Sequence, residues 1–135
     1  MLTLKMIKDW IKTLGPIAEY FYVGKLDNKQ EHSVGIYASK KSLDPYIALG
    51  GQANASYRRK AITILIHWDK NQDTTERASM LLYSKLEANT DIVINGIRIM
   101  YLELLDNEPI NVGTDDKGVY EMVINAVFYY EKKEA

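Results

Sequence analysis

The feature that most constrains the fold is the segment KAITILIHWD, residues 60–69, in which apolar side chains alternate with a period of two. Ile62, Ile64 and Ile66 fall on one face, and such a density of β-branched residues is typical of a strand with a buried face. The segment VYEMVINAVFYYE, residues 119–131, has the same period. The two segments predict long strands of a sheet whose apolar face needs a covering layer.

Two other segments have the helical period and supply that layer. The first begins after Thr3, whose hydroxyl is placed to cap it, and ends at the Gly-Pro pair of residues 15–16. The second begins with the capping-box pair Asp73 and Glu76. The predicted buried stripes are Ile7, Trp10, Ile11 and Leu14 in the first helix, and Ala78, Leu81, Leu82 and Leu86 in the second.

The remaining segments are shorter strands, turns and loops. Residues 18–26 and 32–40 are strand-like around a polar turn, which predicts a hairpin. Residues 41–58 have neither period, and their glycines and small polar residues predict a long loop. Asn95 and Gly96 form the dipeptide that most strongly indicates a tight turn between two strands.

The order of these segments predicts an α+β fold with a single domain, residues 1–135. We expect a sandwich in which a mainly antiparallel β-sheet is covered on one face by two α-helices. A chain of 135 residues is long enough to bury a core of its own. No apolar run is long enough to span a bilayer, and charges are spread through the first helix, so we expect a soluble domain kept inside a cell.

The adjacent Asp115 and Asp116 raise the question of a metal or acid/base site. They lie between two strand-like segments and are followed by Gly118, which is turn composition, because Asp bonds nearby backbone amides and Gly adopts positive φ. A calcium loop needs ligands at alternating positions and a distant Glu, and that order is missing. We therefore predict a structural turn, in which replacing both residues with Asn changes stability by no more than about 0.5 kcal/mol.

The sequence contains no recognisable catalytic or cofactor-binding motif. It has no cysteine, and therefore no thiolate nucleophile and no Cys-based zinc site. His32 and His67 lie in separate strands without metal-ligand spacing, and His67 is expected to be half-buried. No nucleophile elbow or phosphate-binding glycine loop occurs. We therefore expect a protein that is not an enzyme and that binds neither a cofactor nor a metal.

A short basic cluster, Arg58, Arg59 and Lys60 beside Tyr57, is the feature that suggests nucleic-acid binding. The cluster is short, and the formal net charge of the chain is -1, which gives no general attraction to phosphates. Direct contact with DNA is therefore not expected. The cluster is instead interpreted as the solvated start of a strand or as a charged contact between subunits.

Tyrosine is unusually frequent, with ten tyrosines against two phenylalanines. Tyrosine is enriched at protein interfaces, because its ring is buried while its hydroxyl stays hydrated. In residues 119–131 one face is wholly apolar and the other is mixed, which suits a contact with another subunit; the preference of Val and Tyr for strands is an alternative explanation. The candidate interface residues are Tyr57, Arg58, Arg59, Glu121, Asn125 and Tyr129.

The order and spacing of three segments resemble the minor capsid and tail-terminator (tail-completion) proteins of tailed bacteriophages and prophages. The segments are GG…SYRRKAITILIHWDKNQDTTERASMLLYSKL, NGIRI and EPINVGTDDKGVYEMVINAVFYYE. The resemblance runs from about Gly50 to Glu131. It is most specific near its end, where a long strand ending in aromatic residues follows Pro109, Gly113, Asp115 and Gly118.

The resemblance implies a small α/β subunit that assembles into a ring, typically hexameric, on the end of the tail tube. Such a ring stops tail elongation and provides the surface for joining the head. The implied partners are other copies of the chain, the tail tube protein and a head-completion or connector protein. The resemblance implies no catalysis, metal or cofactor, and a place in the virion tail or neck after assembly in the host cytoplasm. No membrane contact is expected, because no apolar run is long enough to span a bilayer. Two alternatives stay open: another head–tail neck component, and a host-encoded non-catalytic interaction or nucleic-acid-binding module.

Overall fold

The structure of the protein is a computed structural model, which describes residues 1–24, 30–39, 56–89 and 91–132. In chain order the elements are α1 (Leu4–Lys12), β1 (Tyr20–Val23), β2 (Ser33–Ala38), β3 (Tyr57–His67), α2 (Gln72–Glu87), β4 (Ile92–Ile94), β5 (Ile97–Leu104), β6 (Ile110–Thr114) and β7 (Tyr120–Glu131). Most of the predicted long loop, residues 41–55, lies outside the described residues. Its last part was predicted wrongly, because β3 already begins at Tyr57.

The seven described strands belong to one sheet, in the order β1-β2-β3-β7-β5-β4. β6 also pairs with β7, so β5 and β6 lie end to end along the same edge of that strand. β5 pairs with residues 126–130, and β6 pairs with residues 120–123. The predicted α+β class, with two helices and a mainly antiparallel sheet, is confirmed, and the sheet is curled.

β1 and β2 pair in parallel, so the predicted hairpin was wrong. Tyr20 lies opposite Ser33, and Val23 lies opposite Ile36. Residues 25–29 of the connection lie outside the described residues, so the predicted polar turn, residues 27–31, is described only at Gln30 and Glu31. A polar turn between two strand-like segments does not set their direction of pairing, and no Asn-Gly pair fixes a tight turn at this point in the sequence.

β3 and β7 form the centre of the sheet. They are paired from Tyr57 opposite Glu131 to His67 opposite Glu121. Every second side chain points to the face that the helices cover, which we call the core face, as the period of two predicted. Its buried residues in these strands are Ile62, Ile64 and Ile66 of β3, and Met122, Ile124, Ala126, Phe128 and Tyr130 of β7. Burying each large apolar side chain contributes roughly 1.5–3 kcal/mol, so this face holds much of the stabilising apolar contact.

α1 packs its predicted stripe against the core face. The Thr3 side chain caps the start of the helix, as its position predicted. Ile7 and Ile11 are fully buried, and the Trp10 ring meets the Phe128 ring edge-on with centroids 6.0 Å apart. The helix is therefore attached to the central strand β7 as well as to the sheet edge that it covers.

α2 begins earlier and turns a different side to the core than predicted. Its N-cap is Asn71 rather than Asp73, which lies in the first turn and forms an exposed ion pair with Arg77. The buried side chains of the helix are Thr75, Ser79, Leu82, Tyr83 and Leu86. Leu81, which was predicted to be buried, is 49% exposed. Adjacent residues are about 100° apart around a helix, and packing centres the buried stripe on Leu82 instead.

Asp69 joins the end of β3 to the start of α2. Its Oδ1 accepts hydrogen bonds from the Asn71 amide at 2.9 Å and from the Thr74 hydroxyl at 2.7 Å. Burial raises the pKa of the Asp69 carboxyl, but these bonds, with further ones from His32 and Thr75, outweigh burial and hold the pKa below its ordinary value. The ionised carboxylate is therefore the form that fixes the start of the helix.

Candidate assembly surface

The side of the sheet opposite the core face is the candidate functional surface, and we call it the tyrosine face. It is formed by the side chains of β3 and β7 that alternate with the buried ones, and by their neighbours in β1, β2 and β5. Strand register places six of the ten tyrosines on it: Tyr20, Tyr22, Tyr37, Tyr57, Tyr101 and Tyr129. The tyrosine excess of the sequence is thus concentrated on the side away from α1 and α2.

Three of these tyrosines form a contiguous cluster at one end of the face. The Tyr129 ring lies between those of Tyr57 and Tyr101, with centroid distances of 5.9 Å and 5.6 Å. The Tyr129 hydroxyl donates a hydrogen bond to Glu103 Oε1 at 2.9 Å. Burial, and then Glu103, raise the pKa of Tyr129, while Arg59 opposes the shift, so the hydroxyl stays a donor. Tyr101 remains 53% exposed and presents its ring to the outside.

An apolar groove follows along the same face. It is lined by Tyr37, Ala38, Ser39, Thr63, Leu65, Val123 and Asn125 and encloses about 450 Å³. At its floor the Thr63 hydroxyl donates to Asn125 Oδ1 at 2.8 Å. The Asn125 amide also donates to Asp106 Oδ2 at 3.4 Å. Asn125 is therefore held by its own subunit, and the groove presents mainly apolar atoms.

His67 lies at the far end of the tyrosine face and is almost completely buried, with 1% of its surface exposed. Its Nδ1 is 2.9 Å from Glu121 Oε2, and its Nε2 is 3.8 Å from Asp115 Oδ2. The expectation of a half-buried strand residue was wrong, because the β6–β7 turn brings Asp115 over the ring. This contact between distant parts of the chain leaves no local signal in the sequence.

The two adjacent aspartates have different environments. Asp115 Oδ1 accepts hydrogen bonds from the amides of Lys117 at 2.8 Å and of Val119 at 2.9 Å. The side chain of Asp115 is only 8% exposed, whereas Asp116 is exposed. Asp115 Oδ1 therefore organises the turn, and the small effect of replacing both aspartates with Asn, which supplies the same acceptor oxygen, stays a prediction.

Both predicted turns contain residues with positive φ, as tight turns of this kind require. Asn95 and Gly96, between β4 and β5, have φ values of 49° and 79°. Gly118, which ends the β6–β7 turn, has a φ of 83°. Residues other than Gly, Asn and Asp adopt this left-handed region at an energetic cost, so residue type and turn shape agree at these positions.

The structure divides the six candidate interface residues between the two faces. The tyrosine face contains Tyr57, Arg59, Glu121, Asn125 and Tyr129. Arg58 lies opposite Tyr130 and points to the core side, because neighbouring strand residues alternate. Tyr101 was not predicted, although it completes the cluster. A register shift in β5 between Ile99 and Tyr101 decides which face it joins, and no sequence pattern marks that shift.

The described residues give no sign of a metal site or a membrane span. Among residues 1–24, 30–39, 56–89 and 91–132, no three His, Cys, Asp or Glu side chains are grouped so that they could hold a metal ion. Over the same residues, neither helix has the length and apolar character needed to cross a bilayer. The features of this surface that bear on function are therefore its shape and its side chains.

A protein-family model described as bacteriophage tail terminator protein matches residues 3–132, which is nearly the whole chain. The match includes residues 3–49, to which the resemblance in the sequence did not extend. No curated protein matches the sequence.

Proposed function

The chain belongs to the bacteriophage tail terminator family, and we propose from this premise that its working form is a closed homo-oligomeric ring on the head-proximal end of the tail tube. The family is structural and has its place in the tail and neck of the virion. In our proposal the ring, with six subunits, stops elongation of the tube and offers the surface that the head joins. The family match over residues 3–132 is the observation that carries this proposal.

The tyrosine face supports the proposal by offering a contact surface apart from the core. A ring needs two different patches on each subunit, because one patch of a subunit meets a different patch of the next. Tyr101, Tyr129 and Tyr57 supply clustered aromatic side chains, of the type enriched at such contacts. Arg59 and Glu103 beside them add charges that orient a partner.

We propose further that the protein has no enzymatic activity. The sequence has no cysteine and no catalytic motif, and the buried His67 is committed to carboxylates of its own subunit. The polar groups in the groove of the tyrosine face bond to one another, as Thr63 does to Asn125, and the remaining groove lining is mainly apolar. This arrangement suits a surface that holds its shape when a partner docks.

We propose that the subunit is monomeric in the host cytoplasm and closes into a ring only on the tube end. A terminator that formed rings in advance would cap tubes before they reached full length. Interfaces of standard size, about 800 Å² per partner, suffice when each subunit has two neighbours and the tube beneath it. The partners are then other copies of the chain, the tail tube protein and a head-completion protein.

Deletion with complementation tests the function. Cells that produce the phage without this protein should make tails of irregular, excessive length that do not join heads, and the wild-type protein should restore both properties. Tails of uniform length that join heads in its absence would show that the proposal is wrong. Tail lengths are measured by electron microscopy.

A point variant ties the function to the tyrosine face. Tyr101→Asp places a charge on a ring that is 53% exposed, so it should spoil docking and leave the fold intact. The matched control is Leu81→Asp, in which a residue of α2 that is 49% exposed, on the helix side of the sheet, is replaced in the same way. The Tyr101 variant should fail to restore tails that join heads and the control should succeed; equal success of both would exclude the tyrosine cluster from the interface.

A further inference from the structure

Three strands of the sheet, β1, β4 and β6, have an edge to which no described strand is paired. β4 ends the strand order and has only three residues, so it offers the shortest of these edges. β1 is the first strand in the sheet order, so only its β2 side is occupied. β6 pairs with β7 on one side, and β4 does not extend to its other side, because β4 pairs only with Ile97–Ile99 of β5. That end of β5 lies against Tyr130, at the opposite end of β7 from β6. The outer side of β6 therefore has no neighbouring strand among the described residues.

β6 has an open edge with only some of the features that protect such edges. All five of its residues, INVGT, are exposed, including the apolar Ile110 at 39% and Val112 at 52%. The strand contains no charged residue and no proline, which are two of the usual protections; short length and a bulge are two others, and β6 has both. A bulge at Asn111–Gly113 bends it, but the Asn111 side chain accepts a hydrogen bond from the Gly113 amide at 2.8 Å and fixes the bent shape.

β1 is also short, with four residues, YFYV, against five in β6. It likewise contains no charged residue and no proline. Tyr20 and Val23, at its two ends, are each 40% exposed. Two short, uncharged edges thus lie at separate places on one sheet, and they differ in sequence.

The segments around the two edges carry opposite charge. Residues 1–24, which include β1, contain three lysines against Asp9 and Glu19. Residues 105–118, which include β6, contain four acidic residues against Lys117. Like charges would meet if β6 paired with β6 of another copy, whereas opposite charges meet if β6 pairs with β1.

We propose that β6 of one copy of this chain pairs with β1 of the next copy, so that the sheet continues across the boundary between subunits. This is strand addition between two different edges of the same protein. Such a contact is head-to-tail, and repeating it closes a ring when the rotation between subunits allows. The inference rests on the proposed ring and deepens it by naming the contact that builds it.

Disulfide cross-linking tests the contact, because the chain has no cysteine of its own. Val112→Cys is combined in turn with one cysteine at each of residues 20–23, and assembled tails are oxidised. A disulfide needs Cα atoms within about 4.4–6.8 Å, and strand side chains alternate between faces. The expected result is a ladder of cross-linked oligomers for positions 20 and 22, or for 21 and 23, but not for both pairs.

Two controls define the outcomes that would overturn the contact. Val112→Cys with Val93→Cys, on the exposed side of β4, should give no ladder. Val112→Cys alone should give no cross-linked dimer; such a dimer would show that β6 pairs with itself. Rings on tail ends without a ladder at any of residues 20–23 would overturn the inference and leave the proposed function standing. If the protein is absent from tail ends and tails are normal without it, both proposals fail.

Charge variants give a second, independent test. Val112→Lys should abolish tail completion while the isolated subunit keeps its wild-type Tm. A second substitution should restore completion, because each lysine then faces a carboxylate of the next copy. That substitution is Val23→Glu if residues 21 and 23 cross-link, and Tyr22→Glu if residues 20 and 22 do. Adding a lysine at the same position should restore nothing. Full completion with Val112→Lys alone, or equal restoration by both additions, would contradict the proposed pairing.

Discussion

The two faces of β3 and β7 share one backbone and have different chemistry. Ile62, Ile64 and Ile66 point to the core face and are buried, while Thr63 and Leu65 between them line the groove of the tyrosine face. The buried part of the core face is aliphatic and aromatic, with Arg58 and Lys60 at its margin. The tyrosine face combines rings, hydroxyls, amides and charges. A strand with both kinds of face stabilises the fold on one side and keeps the other side for contacts. The predictions below test how completely these tasks are separated.

The largest effect is expected on the core face. Ile64 is fully buried and lies between Ile36 and Ile124 in the register. Ile64→Ala should lower the free energy of unfolding by about 2–5 kcal/mol, because it removes buried methyl groups and leaves a cavity. Urea denaturation measures the change. Leu65→Ala is the matched control on the other face and should cost clearly less; an equal loss would remove the distinction between the faces.

A smaller loss of stability is expected at the end of the tyrosine face where Asp115 lies beside the buried His67. Asp115→Ala should lower the free energy of unfolding by about 1–3 kcal/mol, since the amides of Lys117 and Val119 lose their acceptor and His67 loses a neighbouring carboxylate. Asp116→Ala, at the exposed neighbour, should change it by less than about 0.5 kcal/mol. Thermal and urea unfolding of both variants give the comparison. Equally small changes for the two variants would mean that the buried Asp115 carboxylate does not contribute to stability.

A pH-dependent effect is expected at the end of β3. Asp69 has a lowered pKa in the folded state, so its contribution is present above its unfolded pKa of about 3.9 and is lost as the pH falls through the folded pKa. Asp69→Asn should therefore lower the free energy of unfolding by about 1 kcal/mol near pH 7, and the difference should vanish in strong acid. Asp73→Asn, in an exposed pair, is the control. A difference that is independent of pH would contradict the role of the carboxylate.

The smallest effect on stability is expected at the outermost tyrosine. Tyr101→Ser should change the free energy of unfolding by only about 0.5 kcal/mol, because the ring is half-exposed. The same variant should nevertheless impair tail completion in the complementation assay. Loss of stability comparable to that of Ile64→Ala would show that the tyrosine cluster serves the fold rather than assembly.

Local patterns predicted the elements well where one short segment contains all the information. The alternation of Ile62, Ile64 and Ile66 identified a strand and its buried face, and the cap at Thr3 identified the start of α1. The Asn95-Gly96 pair identified a turn. Each of these features depends on steric preferences and hydrogen bonds within a few residues, and distant parts of the chain do not change them.

Features that depend on pairing between distant segments were missed or predicted wrongly. β1 pairs with β2 in parallel, and the composition of the segment between them does not indicate this direction. The direction depends on how both strands pack within the whole sheet. Leu81 is exposed because the position of α2 on the sheet selects one of two adjacent apolar residues. The tyrosine excess was visible in the composition, but the cluster around Tyr129 required the register of three strands.

The sequence by itself determined that β7 has one apolar and one mixed face, because side chains alternate along any strand. Only the tertiary structure decided what each mixed-face residue does. It placed Glu121 beside the buried His67, bonded Asn125 to Thr63 and put the Tyr129 ring against those of Tyr57 and Tyr101. The physical reason is that alternation is a property of one strand, whereas burial and hydrogen bonding depend on which residues of other strands and turns lie beside it.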